Sequence, residues 1–144
     1  MATIELTKES FSDVVGGAKL ALVDFWGPRC RLCRTFEPVF EKASQHHPDA
    51  VFGKVDAQAH SQLAAMFRVM SLPTLMIMKE GFVIYARSGA LPLEDLEDLV
   101  GQARALDMDG VRRKRAARRP TASHQRSQGT PRPWRGVRPP GTLA

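Results

Sequence analysis

The chain has 144 residues, 43% of them hydrophobic, which allows one domain with a core of its own and excludes a wholly unstructured chain. The net charge of +6 is unevenly placed: positions 1 to 106 hold 11 basic and 13 acidic residues, whereas positions 107 to 144 hold 10 basic and 2 acidic. The basic balance therefore describes the C-terminal segment and not the part that carries the aliphatic residues.

The opening stretch MATIELTKES has no basic run followed by an apolar one, and no apolar run reaches the length of a membrane span. A cytoplasmic protein with no membrane association is expected, and disulfides in that compartment are usually transient and catalytic. Residues 3 to 6, TIEL, predict a short strand. Thr7 can cap a helix running to about Val15, with Phe11, Val14 and Val15 as its apolar stripe and Gly16-Gly17 as its end. The run LALVDFW, 20 to 26, suits a strand buried on both faces, which calls for helices on both sides of a sheet. It contains one carboxylate, Asp24, where the pattern wants an apolar side chain.

A helix is expected from near Cys30 to about Gln45, with Phe36, Val39, Phe40 and Ala43 at helical spacing and a kink at Pro38. A second central strand spans 50 to 57, a short helix roughly 59 to 67, and a further strand 74 to 79. Glu80-Gly81 makes a turn into a returning strand, FVIYAR, at 82 to 87. Pro92 to Ala105 is amphipathic, with Pro92 suited to the first turn of a helix. The order βαβαβαββα describes an α/β domain over 1–106, a mixed central sheet flanked by helices on both faces. From 107 to 144 the chain is rich in Arg, Pro, Gly and Ser and is expected to stay disordered. Such a basic tail would attract nucleic acid weakly and without sequence preference.

The two cysteines, Cys30 and Cys33, stand three apart in "FWGPRCRLCR", among Arg29, Arg31 and Arg34. They could be packed core residues, but that leaves the spacing and the arginines unexplained. A zinc finger would add a histidine about twelve residues beyond the second cysteine and another three to five further on. His46 fits the first position, but its neighbours in sequence, His47 and His60, do not fit the second. A redox pair uses all the features. A cysteine at a helix N-terminus meets unsatisfied N–H groups and the positive end of the helix dipole, which favour the thiolate that attacks disulfides. A second cysteine one turn on can resolve the mixed disulfide so formed.

The segment VDFWGPRCRLCR, followed by SLPT with its proline 40 residues after Cys33, resembles the thioredoxin family across about residues 2 to 106. The shared markers are Asp24, Trp26, Cys30, Cys33, Pro38, Lys54, Pro73 and Gly89. The resemblance implies a thioredoxin fold and a disulfide reductase that needs no cofactor or metal of its own. It implies that Cys30 attacks, Cys33 resolves, and Asp24 beneath the pair accepts a proton, with Lys54 moderating its charge. It also implies that Pro73 is cis and that Trp26, Gly27, Leu72, Pro73, Gly89 and Ala90 receive substrate. The implied partners are disulfide-containing client proteins and an NADPH-dependent thioredoxin reductase, acting on a monomer.

Between the cysteines stand Arg31-Leu32, and Arg29 precedes the pair, where the family usually carries Gly-Pro and Trp. Added positive charge stabilises the reduced form, so a more oxidising pair is expected. Arg29 and Arg31 would modulate the site and favour acidic clients. The competing functions are an isomerase or oxidant of higher potential, and a chaperone or binding module whose docking surface matters more than turnover.

Overall fold

A computed structural model describes residues 2–118 of the chain. The elements are β1 (Thr3–Glu5), α1 (Phe11–Gly16), β2 (Leu20–Trp26), α2 (Arg31–His46), β3 (Val51–Asp56), α3 (Ser61–Met66), β4 (Thr74–Lys79), β5 (Phe82–Ser88), α4 (Leu93–Ala105) and α5 (Met108–Arg118). The strands form one sheet in the order β1-β3-β2-β4-β5. β3 is parallel to β1 and β2, while β4 is antiparallel to β2 and β5. This is the mixed, helix-covered sheet that the sequence pattern predicts.

β2 is central, and its alternating side chains enter two cores. Val23 and Phe25 pack with Phe11, Phe67 and Met76 on the face covered by α1 and α3. Leu20 and Leu22 pack with Phe36, Phe40 and Leu96 on the face covered by α2 and α4. Period-2 alternation assigns Asp24 to the second face, under α2. A strand apolar on both faces is what a position between β3 and β4 requires. The β4–β5 turn has positive φ at both central residues, Glu80 (51°) and Gly81 (85°), matching the twist of a two-residue hairpin.

Some boundaries differ from expectation. Thr7 caps the turn that leads into α1, its carbonyl accepting the N–H of Phe11 at 2.9 Å. The N–H of Ser10 donates to Thr7 Oγ1 (3.1 Å) and that of Thr7 to Ser10 Oγ (2.9 Å), closing a turn that precedes the helix at Phe11. Pro92 stands just before α4 in extended conformation, its carbonyl accepting from the Leu96 N–H at 3.1 Å. α2 runs on through Pro38 to His46.

The largest difference is α5. Disorder is expected from 107, yet 108–118 is helical. Composition averages over the tail, whereas the helix is held by local pairing. Met108 is 6% exposed, and the Asp109 N–H donates to Asp107 Oδ1 at 3.0 Å. Arg112 pairs with Glu80 at the hairpin turn and with Asp109, and Arg115 stands 5.5 Å over the Phe82 ring. Lys79 fastens the preceding turn, its ammonium donating to the carbonyls of Ala103, Arg104 and Leu106 at 2.7, 2.9 and 3.0 Å, which offsets the negative end of α4. The remaining tail, 119–144, and the nucleic-acid binding expected of it lie outside the described residues.

Exposed ion pairs contribute at most about 1 kcal/mol each, and burying a methionine side chain about 2 kcal/mol. A chain ending at Leu106 is therefore expected to fold and to lose roughly 2 to 3 kcal/mol in a urea titration. An unfolded truncation would make α5 part of the core, and an unchanged midpoint would mean that α5 adds nothing.

Candidate active site

Cys30 is the residue before the first turn of α2, in extended conformation (φ −94°, ψ 113°). From there its sulfur accepts the N–H of Cys33 at 3.0 Å, one of the donors a helix start leaves without an intrahelical partner. The two cysteines are joined by a disulfide, with Cα atoms 5.2 Å apart. Cys30 is half-buried and Cys33 is 4% exposed. One cysteine is thus open to a partner and the other faces the protein. Arg29, Arg31 and Arg34 are all exposed around them.

Beneath Cys33 lies a cavity of about 340 Å³, lined also by Asp24, Trp26, Gly27, Glu37 and Lys54. Asp24 is 1% exposed, and neither carboxyl oxygen has a hydrogen-bond partner among the described residues. Burial pushes its pKa up from 3.8 to about 7, against the opposing pull of Lys54 and with help from Glu37 and Glu5. Lys54 is the in-register neighbour of Asp24 on β3. Its ammonium, however, binds Glu37 at 2.5 Å and stands 5.4 Å over the Trp26 ring. Lys54 therefore acts on Asp24 through space and not through a hydrogen bond. Sequence reasoning did not single out Glu37. Its spacing of four from Cys33 on one helix was the available signal, since residues so spaced share a helical face.

The segment before β4 approaches the cysteines from the other side. Leu72–Pro73 is a cis peptide. The N–H of Gly89 donates to the Pro73 carbonyl at 2.8 Å, tying this segment to the end of β5. Gly89 has φ +111°, a conformation that favours glycine. Space at Gly27 is tight: a Cβ there would stand 2.8 Å from Leu72 Cδ1, so that side chain end would have to shift. Leu72, Cys30 and Arg29 share a groove of about 550 Å³ on this side. Ala90, next to Gly89, packs at the edge of the α2/α4 core. Chemically, the arrangement offers an accessible sulfur, a sheltered sulfur, and a carboxyl with a pKa raised to about 7 that lines the same cavity as the sheltered one.

The raised pKa of Asp24 makes the stability of the fold depend on pH. The folded-state pKa lies above the unfolded value, so folding disfavours the charged form. The stability contribution is fully present below about pH 4 and is lost as pH rises to about 7, up to roughly 4 kcal/mol if the carboxyl stays buried. Asp24→Asn should remove that loss. The stability difference between variant and wild type, measured by urea unfolding of the oxidised proteins, should widen from pH 4 to 7 and then level. A difference independent of pH would mean that Asp24 ionises normally.

Comparison with known proteins adds independent findings. The family model described as thioredoxin matches residues 2–102. The chain is 50% identical over 112 residues to the protein named thioredoxin 2 of Streptomyces coelicolor, covering 78% of this chain and 84% of that protein. It is 35% identical over 103 residues to thioredoxin of Bacillus subtilis, covering 71% of this chain and 98% of that one. Among solved structures, a thioredoxin mutant of Halobacterium salinarum superposes with a TM-score of 0.68 at 25% identity, covering 73% of this chain and 93% of that one.

Proposed function

The chain belongs to the thioredoxin family, and from that membership we propose how its residues divide the work of reducing a protein disulfide. It is a thiol–disulfide oxidoreductase with a redox-active Cys30–Cys33 pair, acting on disulfide-containing substrates. In the reaction inferred here, the Cys30 thiolate attacks one sulfur of a client disulfide and the other client sulfur leaves as a thiolate. Cys33 then loses its proton to Asp24, through the cavity they share, and attacks Cys30 Sγ. The Cys30–Cys33 disulfide forms and the second client thiolate is released. Two electrons pass from the dithiol to the client.

The observation that supports this reading best is the placement of Asp24. A buried carboxyl with a pKa raised to about 7 is matched to taking a thiol proton near neutral pH, and it shares a cavity with Cys33 rather than with the more open Cys30. Trp26, Gly27, Leu72, Pro73, Gly89 and Ala90 would form the surface that receives the client, with the backbone at Leu72 pairing with an extended client segment. An NADPH-dependent thioredoxin reductase would return the disulfide to the dithiol. The cytoplasm is the compartment in which we expect the cycle to run. Among the described residues, no helix is long and apolar enough to cross a membrane.

Arg31 favours a second reading of direction. It opens α2 and is exposed beside Cys30. A cation there stabilises the thiolate and does little for the uncharged disulfide, so the pair would be more oxidising than with a neutral residue, as an isomerase or oxidant needs. Replacing Arg31-Leu32 by Gly-Pro should shift the glutathione equilibrium towards the disulfide. A shift towards the dithiol, or none, contradicts the argument.

The order of attack has its own test. Cys33→Ser should hold clients as mixed disulfides and Cys30→Ser should not. Asp24→Asn should slow release of a trapped client more than initial attack, and by about tenfold or more near neutral pH, in keeping with the loss of a general base. Equal trapping by both cysteine variants, or an unchanged release rate in Asp24→Asn, would overturn the assignment.

A further inference from the structure

The side of Cys30 away from Asp24 carries features that the dithiol chemistry does not use. Two clefts meet there. The first is the groove of about 550 Å³ that holds Arg29, Cys30 and Leu72. The second, of about 230 Å³, holds Arg68 and Arg87. Met70 and Ser71 line both clefts, so the segment between α3 and β4 forms a ridge between them. Met70 is 92% exposed on that ridge, and it lines the same groove as Cys30.

Arg29, Arg68 and Arg87 are exposed, and among the described residues none of them forms an ion pair. Asp56, at the end of β3 beside the first cleft, is engaged by the N–H groups of Gln58 and Ala59 at 2.9 and 3.1 Å. Arg68 also has φ 57°, a left-handed conformation that glycine adopts freely and a residue with a Cβ does not. That conformation closes α3: the N–H of Arg68 donates to the Ala65 carbonyl and that of Val69 to the Ala64 carbonyl, both at 3.0 Å, a cap usually built on glycine. An arginine in that position presents its charge at the second cleft at a conformational cost that glycine would not incur.

We propose that this ridge selects the client: it docks an extended, acidic segment of the disulfide-bearing protein, with an apolar side chain against Met70 in the Cys30 groove and carboxylates towards Arg29 and the Arg68–Arg87 cleft. The inference rests on Cys30 as the attacking sulfur and adds the substrate class. Charge complementarity identifies the occupant, since three guanidiniums that form no ion pair among the described residues flank the exposed Met70. A nucleic acid would satisfy the arginines but would leave Met70 and the apolar lining of the groove, which includes Ala64, Val69 and Leu72, without a match. Docking itself makes and breaks no bond. It raises the local concentration of the client disulfide at Cys30 and fixes its direction along the loop.

The test uses the pre-reduced full chain and two disulfide-bridged peptides, alike except that one carries Asp and Glu where the other carries Asn and Gln. Their kcat/KM values are measured at low and high salt. The acidic peptide should react several-fold faster, with the advantage falling as salt rises. Arg68→Gly and Arg87→Gln should each lower the acidic-to-neutral ratio about twofold to fivefold, the range for a single exposed charge pair. Arg68→Gly should do so while the melting temperature holds or rises, because glycine takes that φ without strain. That separates docking from damage to the fold. A ratio near one in the wild type, or a ratio that neither variant moves, overturns the proposal while the neutral peptide still reports a working dithiol. Failure to reduce either peptide removes the dithiol reading and this one with it. If a single-stranded oligonucleotide blocks both peptides equally, and Arg68→Gly relieves that block without changing the ratio, the face belongs to a polyanion and the proposal is wrong.

Discussion

The carboxyl of Asp24 is the constraint around which the site is organised. It occupies the centre of a strand whose other positions from Leu20 to Phe25 are buried apolar side chains, and among the described residues nothing donates a hydrogen bond to it. Burying such a group costs several kcal/mol if it is charged and less if it stays neutral. The protein keeps it neutral up to about pH 7 by burial, and keeps Lys54 close enough to limit the shift without quenching it. Glu37 holds Lys54 in that intermediate position. If Lys54 were hydrogen-bonded to Asp24, the carboxyl would ionise at lower pH and make a weaker base; with Lys54 removed, it would be harder to ionise at all.

The geometry above Asp24 follows from the same strand. β2 delivers the chain through Gly27 to Cys30, and α2 starts there, so the cysteines stand over the C-terminal end of the central strand. α2 then packs Phe36 and Phe40 on the sheet face that carries Asp24, which turns Cys33 inward and leaves Cys30 at the rim. Two sulfurs three residues apart thus meet different surroundings: a protonatable carboxyl on one side and an open, cationic groove on the other. The close approach of Leu72 to Gly27, and the bond from Gly89 to Pro73, hold the loop that separates these two environments.

Much of this was legible in the sequence, for identifiable reasons. The run LALVDFW is bounded on both sides by polar or glycine residues, so β2 could be read to its ends, and a lone carboxylate inside it pointed to chemistry. The Cys30–Cys33 spacing predicted one helical turn because such pairs are local. Other features were hidden because they depend on tertiary neighbours. Arg68, Met70 and Arg87 are ordinary residues in the linear sequence, and only the pairing of β4 with β5 brings Arg87 alongside the loop before β4. α5 was masked by the composition of the tail behind it, although Asp107, Asp109 and Met108 mark its start. Its stabilising partners, Glu80 and Phe82, lie on a hairpin about thirty residues earlier. The three carbonyl partners of Lys79 arise only once α4 ends above it.

The central claim is that Asp24 changes protonation near neutral pH beneath Cys33. The most direct measurement is a carbon-13 NMR titration of the Asp24 carboxyl in the oxidised protein, assigned by its loss in Asp24→Asn. The account predicts a midpoint close to 7, where burial sets it. A midpoint in the ordinary aspartate range near 4 would contradict it, because a carboxyl already ionised at low pH would be a poor acceptor for the Cys33 proton.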